Sequence, residues 1–184
     1  MKKYTKLTFH NVSSIAGTKD VGVIALVDED NVRQLSIPCD NQMVYQFGLR
    51  ISHAQDLDNL LPEVLVNKLL YIGNRYEIII TNIANGHYEV VLEDIDSLEQ
   101  IPMRASDAVL LSYIGNIPIF IDEDLMQRQC TNFRPGSSGL ALPVNSLSDE
   151  MLQKAMEQAL KDENYDLASR IRDERKSRIK KAKN

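Results

Sequence analysis

Several residue types and patterns are scarce in this chain of 184 residues, and each scarcity argues against a class of protein. The two cysteines, Cys39 and Cys130, lie far apart and outside any CxxC spacing, which argues against a disulfide framework or a zinc ribbon. Neither a GxGxxG nor a GxxxxGKS/T loop occurs, so a glycine-rich nucleotide site is excluded. No apolar run approaches the roughly 18 residues of a membrane span, and the N-terminus has no signal-peptide pattern. We therefore expect a cytoplasmic protein with no membrane contact.

Basic residues are scarce in the main body of the chain. The net charge of −5 divides into a balance of −7 over residues 1–148 and +2 over residues 149–184. Non-specific nucleic-acid binding relies on Lys and Arg that neutralise phosphates, and an acidic body does not supply them. Any nucleic acid must therefore meet a local basic patch or bridging metal ions.

Strand and helix patterns alternate in short groups. "VGVIALV" (21–27) is a continuous apolar run typical of a buried strand, and it lies second among three opening strands. The predicted order is β-β-β-α-α-β-β-β-α-β-α, with Asn85-Gly86 as a hairpin turn. Asp40 and Asp122 are predicted to cap helices. This order predicts an α+β fold, with helices packed on a mixed β-sheet and a C-terminal α-helical hairpin.

The C-terminal part of the chain changes character. Residues 131–147 contain prolines and polar turn formers without periodicity, which predicts a linker. Two stretches of helical periodicity follow, separated by "KDEN" (161–164), which predicts a helical hairpin. The expected organisation is a domain at 1–130, a linker at 131–147 and a hairpin at 148–184. A core of fewer than about 40 residues is marginal, so the hairpin is expected to seek a partner.

The hairpin combines an aromatic-acidic-x-Ala turn in "ENYDLA" (163–168) with "RIRDE" (170–174). With Leu152, Met156 and Ala159, these residues resemble the UVR motif, a helical hairpin found in UvrB, UvrC and some protease adaptors. In that family the motif is a protein–protein contact that pairs with another copy of itself. The resemblance therefore implies a homo-oligomer, or a repair or proteolysis partner. The contact residues that it implies are Leu152, Met156, Tyr165, Ala168, Ile171 and Arg172.

Residues 73–95 and 101–126 carry a second resemblance. A strand hairpin precedes "IPMRASDAVLLSYIGNIPIFI", in which the matching residues are Arg104, Ser106, Asp107, Ala108, Gly115, Pro118 and Ile119. This pattern resembles the bifunctional nuclease family, a small α+β domain to which DNase and RNase activity is attributed. Ala105 stands where that family usually has Pro. The resemblance covers residues 1–130 and implies hydrolysis of phosphodiester bonds in DNA or RNA.

The residues themselves offer some of the groups that this chemistry needs. Phosphodiester hydrolysis commonly uses carboxylates that hold a divalent metal and a cation that offsets the phosphate charge. The resemblance implies Arg104 as phosphate clamp with Ser106 beside it, Asp107 as metal or base carboxylate, and Glu63 as a third catalytic group. Mg²⁺ or Mn²⁺ is the implied cofactor. A simpler interpretation of the same residues is that Ser106 caps a helix, Asp107 favours its dipole and Arg104 pairs with a nearby acid.

The first half of the chain departs from the family pattern. Met43 occupies the position of a Glu, and Leu61, Pro62 and Glu63 align with a Thr-His-Asp sequence. The His is therefore absent and the acid survives only as Glu63. An alternative function follows, a noncatalytic protein-interaction module of the same fold, which the acidic body, Met43 and Pro62 favour.

Overall fold

The computed structural model describes residues 3–14, 21–69, 75–135 and 143–181. The strands in these ranges are β1 Tyr4–Ser14, β2 Val21–Asp28, β3 Arg33–Asp40, β4 Tyr76–Ala84, β5 His87–Asp94, β6 Gln100–Met103, β7 Ile119–Asp122 and β8 Thr131–Asn132. The helices are α1 Asn41–Ile51, α2 Leu61–Val64, α3 Ala105–Gly115, α4 Glu123–Gln129, α5 Asp149–Lys161 and α6 Tyr165–Lys181. Short helical turns lie at Leu57–Asn59, Leu65–Leu69 and Val144–Ser146. None of the described helices is long and apolar enough to cross a membrane.

The strands form one mixed sheet in the order β6-β5-β4-β7-β1-β2-β3-β8. β4 and β7 pair in parallel, and the other neighbouring strands pair antiparallel. The α5–α6 pair follows as a separate helical hairpin, with its break at residues 162–164. The predicted α+β class, a mixed sheet with helices and a C-terminal helical hairpin, is confirmed.

The segment predicted as a linker begins inside the sheet. Thr131 and Asn132 form β8, which pairs with Gln34 and Arg33 of β3. Residues 136–142 of the predicted linker lie outside the described ranges. Its last residues include the single helical turn Val144–Ser146, which leads into α5.

The core lies between the sheet and the helices α1 and α3. All eight residues of β2 are buried, as the continuous apolar run predicts. Phe47 of α1 is fully buried and stacks on Phe9 of β1 with ring centroids 4.8 Å apart, and Tyr113 of α3 meets both rings edge-on. Each large apolar side chain buried in this way contributes about 1.5–3 kcal/mol to folding. Packing therefore fixes α1 and α3 against the centre of the sheet.

Two predicted caps and the predicted hairpin turn are present. Asp40 ends β3 and accepts a hydrogen bond from the backbone N–H of Met43 at 2.8 Å, which starts α1. Asp122 ends β7 and accepts from the backbone N–H groups of two residues in α4. Asn85 and Gly86 have positive φ angles of 51° and 81°, the left-handed geometry that joins twisted strands in a two-residue hairpin.

The helical hairpin is attached to the body through the β4–β5 turn. Gly86 is buried there, and a Cβ at this position would overlap the carbonyl oxygen of Leu147. Arg178 of α6 lies beside this contact and donates to the Leu147 carbonyl at 2.8 Å. Its guanidinium also pairs with Asp149 at 2.7 Å and Glu174 at 2.8 Å. One buried arginine therefore joins the end of α6, the start of α5 and the segment that touches the body.

A second arginine, Arg33 at the start of β3, joins the end of β2 to the start of α4. Arg33 lies 2.8 Å from Asp28 and 2.8 Å from Glu123, and the Thr5 hydroxyl donates to the same Glu123 carboxylate. The hydrogen bonds from Arg33 and Thr5 lower the pKa of Glu123 from 4.5 to about 2. The folded protein therefore holds this carboxylate ionised over a range in which the unfolded chain would protonate it.

This pKa shift predicts acid sensitivity. Because the folded pKa of Glu123 is lowered, its contribution to stability is present above pH 4.5 and is lost as the pH falls toward 2. Arg33→Met should remove part of this dependence, measured as the free energy of urea unfolding at several pH values. Arg128→Met removes an exposed arginine of α4 that has no ion pair among the described residues, so it should keep the wild-type dependence. Identical pH profiles for the two variants would contradict the assignment.

Candidate functional site

Arg104 lies at the junction between β6 and α3, in contact with two carboxylates. Its Nη2 atom is 3.0 Å from Oδ2 of Asp40, and its Nε atom is 3.6 Å from Oδ2 of Asp107. Arg104 and Asp107 were predicted as site residues, and the structure brings them together. Asp40 was predicted only as a helix cap, and it is the third member of this group. We call Arg104, Asp40 and Asp107 the Arg104 cluster.

The Arg104 cluster is accessible to a ligand. The side chain of Arg104 is 66% exposed and that of Asp40 is 48% exposed. An ion pair this exposed contributes about 0–1 kcal/mol, so another anion can replace Asp40 or Asp107 as partner of Arg104 at small cost. The N–H of Met43, and after it Arg104, hold the pKa of Asp40 below its ordinary value. Asp40 is therefore a carboxylate at neutral pH.

Ser106 does not lie at the N-cap position of α3 that was predicted for it. The residue before α3 is Arg104, so Ser106 is already inside the first turn and does not cap the helix. The predicted cap is therefore wrong, and no side chain caps α3. Ser106 is buried, at 4% exposure, and its hydroxyl has no hydrogen-bond partner among the described residues. Asp107 lies in the first turn, where its charge favours the helix dipole.

Glu63 has no hydrogen bond or ion pair with the Arg104 cluster among the described residues. Its two carboxylate oxygens each accept a hydrogen bond of 2.7 Å from Arg50, and both side chains are buried. Arg50 also donates to the side chain and the carbonyl of Gln46. This arrangement uses both oxygens of Glu63 in a structural ion pair that joins α1 to α2. The structure therefore does not bring Glu63 together with Asp107.

Two cavities meet at the Arg104 cluster. The larger one measures about 600 Å³ and lies between the body and α5. The smaller one measures about 390 Å³ and lies between α1, α2 and α3. Arg104 and Asp40 line both cavities, Asp107 lines the smaller one and Ser106 lines the larger one. Glu63 lines neither.

The thiol in the larger cavity is a poor nucleophile. Cys39 lines this cavity, and burial raises the pKa of its thiol to about 12. Only the thiolate reacts readily, so Cys39 is inert at neutral pH. The chemistry of the site must therefore come from its charged and hydroxyl groups.

The Arg104 cluster contains two carboxylates that can be compared with the needs of a divalent metal. No group of three or more His, Cys, Asp or Glu residues that could hold a metal occurs in the part of the chain that the structure describes. Asp40 and Asp107 supply two carboxylates that contact the same guanidinium. Mg²⁺ is usually bound by one or two carboxylates together with water and substrate phosphates, so this donor set fits a metal that arrives with its substrate.

The residues predicted as partner contacts divide into two groups. Leu152, Ala168 and Ile171 are buried, so they hold the hairpin itself together. Met156 is half-buried. Tyr165 is 68% exposed and Arg172 is exposed, and both remain available to a partner. Leu160, which is 54% exposed, lies near Tyr165 in sequence at the end of α5 and was not among the predicted contacts.

A scan against protein-family models finds no match to this chain, and a search of curated proteins finds no significant match. The resemblances to the bifunctional nuclease family and to the UVR motif stay predictions.

The buried ion pair of Glu63 predicts a loss of stability on mutation. Glu63→Ala leaves the Arg50 guanidinium buried without its partner, which should lower the free energy of unfolding by about 3–5 kcal/mol. Urea denaturation measures the change. Glu99→Ala, at an exposed glutamate, is the matched control, and the double variant Arg50→Met/Glu63→Leu should recover most of the loss. If Glu63→Ala is as stable as Glu99→Ala, the pair is not structural.

Proposed function

We propose that this chain is a nuclease that hydrolyses phosphodiester bonds of DNA or RNA at the Arg104 cluster. The observation that carries the proposal is the position of an exposed arginine between two carboxylates, where two cavities meet. This arrangement offers a cation for the phosphate and carboxylates for metal or proton transfer. The resemblance of residues 101–126 to the bifunctional nuclease family supports the same activity.

Each residue of the Arg104 cluster has a role in this proposal. Arg104 exchanges its longer contact with Asp107 for a phosphate oxygen of the substrate and keeps its contact with Asp40. Asp107 then faces the smaller cavity beside the bound phosphate and accepts a proton from the attacking water. As the new P–O bond forms, the bond from phosphorus to the leaving oxygen breaks, and that oxygen takes a proton from solvent. Asp40 stays ionised and orients Arg104. The first-turn N–H groups of α3, which no side chain caps, favour an anion at the same place.

A divalent metal is part of the proposal. Asp107 would hold Mg²⁺ or Mn²⁺ together with water and the substrate phosphate, and the metal when bound would polarise a phosphoryl oxygen and offset its charge. Because the body of the chain is acidic, nucleic acid would meet it through a local basic patch or through bridging metal ions. Cytoplasmic residence belongs to this proposal too, since both cysteines are free thiols.

A specific observation favours a second function, a noncatalytic interaction module. Glu63, which the resemblance assigns to catalysis, is bound in a buried ion pair, and Met43 is part of the hydrophobic core. Both positions serve folding in this chain. The module would bind its partner through the hairpin and would not hydrolyse nucleic acid.

Purified protein assayed on plasmid DNA and single-stranded RNA separates the two functions. We expect cleavage with Mg²⁺ or Mn²⁺ that EDTA abolishes, and a loss of about 100-fold or more in Asp107→Asn. Asp124→Asn is the matched control, because Asp124 is exposed in the first turn of α4 and lines neither cavity. Equal activity in wild type and Asp107→Asn would point to a contaminating enzyme and would remove the catalytic assignment.

We also propose that the hairpin pairs with another copy of itself or with a repair or proteolysis partner. Among the predicted contacts, Tyr165 and Arg172 are the exposed ones, and the exposed Leu160 extends the same end of the hairpin. Aromatic and arginine side chains are the residue types that dominate such contacts. Leu152, Ala168 and Ile171 would support this surface from within.

Sedimentation velocity tests the pairing. The wild-type chain of 20.9 kDa should sediment as an oligomer, and Leu160→Ser/Tyr165→Ser should shift it to the monomer. Val32→Ser is the control, because Val32 is an exposed apolar residue of the body at 58% exposure. A wild-type monomer, or a double variant that remains oligomeric, would count against self-association through this surface.

A further inference from the structure

Two helix N-termini face the larger cavity. Arg104, Ala105 and Ser106 line it at the start of α3, and Ser148, Glu150 and Met151 line it at the start of α5. Ser148 caps α5 by accepting from the Met151 N–H at 3.3 Å, whereas no side chain caps α3. The free N–H groups at a helix start carry partial positive charge and bind anions. The start of α3 therefore presents N–H groups that no side chain caps beside the cavity, and Asp107 is the acidic residue in its first turn.

Two hydroxyl groups in the wall of the same cavity lack partners. The Tyr88 hydroxyl is buried without a hydrogen-bond partner among the described residues. The Ser106 hydroxyl also has no partner there, but it keeps contact with the solvent of the cavity although the residue as a whole is 4% exposed. A buried donor without an acceptor costs about 1–3 kcal/mol. A ligand in the cavity can supply the missing acceptor, and a phosphate offers several acceptor oxygens.

Two cations from different parts of the chain line the cavity. Arg104 belongs to the body and Lys154 to α5 of the hairpin. Lys154 is exposed and has no ion pair within the described ranges. Two carboxylates, Asp40 and Glu150, line the cavity as well. Arg104 pairs with Asp40, whereas Lys154 can bind a ligand without breaking any ion pair of the described residues.

We propose that the larger cavity binds a phosphate group of a nucleotide or nucleic-acid strand, held by the start of α3, Ser106 and Arg104 on the body and by Lys154 on the hairpin. Its volume of about 600 Å³ lies in the range of small-molecule sites. The proposal rests on the proposed function. The bond is cleaved in the smaller cavity beside Asp107, and the neighbouring nucleotide lies in the larger cavity, on the opposite side of Arg104. The hairpin then supplies a substrate contact in addition to a partner surface.

Calorimetric titration in metal-free buffer with EDTA tests this site without hydrolysis. The probes are 5′-phosphorylated dithymidine, thymidine 5′-monophosphate and thymidine. We expect both phosphorylated probes to bind and thymidine not to bind. Tighter binding of the dinucleotide than of the monophosphate assigns the site to a strand, and the reverse order assigns it to a free nucleotide. Equal binding of thymidine, or no binding of any probe, overturns the proposal.

Two variants locate the phosphate. Lys154→Glu should weaken binding of the dinucleotide by about tenfold. Lys154→Ala should reduce the slope of log Kd against log salt concentration by about 1, the change expected for the loss of one phosphate contact. Ser106→Ala should weaken binding by about threefold to tenfold without loss of stability, because its hydroxyl has no protein partner to lose.

Lys161 provides the control for charge. It is an exposed lysine of α5 that does not line the cavity, so Lys161→Glu should bind like the wild type. Equal weakening in Lys154→Glu and Lys161→Glu would show a general charge effect and overturn the site. If the wild type is an active nuclease and Lys154→Glu binds the dinucleotide normally, this site is overturned and the proposed function remains. Binding that requires Lys154 in a protein without nuclease activity would do the opposite.

Discussion

The carboxylate of Asp40 joins three elements through its two oxygens. Oδ1 accepts from the Met43 N–H and starts α1, and Oδ2 accepts from Arg104 at the start of α3. Because Asp40 is also the last residue of β3, the sheet, α1 and α3 meet at one side chain. Both cavities open from this point, and their shared residues are Asp40 and Arg104. A residue that local sequence identifies as a helix cap is therefore also the centre of the candidate site.

Local signals predicted much of this fold, whereas contacts between distant residues were beyond them. The eight buried residues of β2, the Asn85-Gly86 turn and the caps at Asp40 and Asp122 all depend on neighbours in sequence. The pairing of Arg104 with Asp40 joins residues 64 positions apart, and no spacing rule reveals it. The resemblance implied a catalytic role for Glu63. Its pairing with Arg50 could not be predicted, because Arg50 comes from another helix whose orientation depends on packing.

The helical hairpin has two kinds of residue that hydrophobic periodicity does not distinguish. Leu152 and Ile171 are fully buried, whereas Leu160 and Tyr165 are exposed. Periodicity identifies a stripe, but the crossing of the two helices decides which end of the stripe is covered. Arg178 fixes that crossing through its contacts with Asp149 and Leu147. The same contacts hold α5 beside the body, so they also shape the larger cavity and the position of its lysine.

The place of β7 between β4 and β1 has a consequence for synthesis on the ribosome. β1 pairs with β7, and the hydrogen bond from Thr5 to Glu123 beside this pairing joins residues 118 positions apart. At translation rates of about 5–20 residues per second, β1 waits on the order of ten seconds for the strand that joins it to β4, and β4 waits roughly a third as long. During that interval each has an open edge that another chain can pair with. The β7 segment of a second nascent chain can pair with the same two edges. On polysomes, where nascent chains are close together, domain swapping therefore competes with the insertion of a chain's own β7.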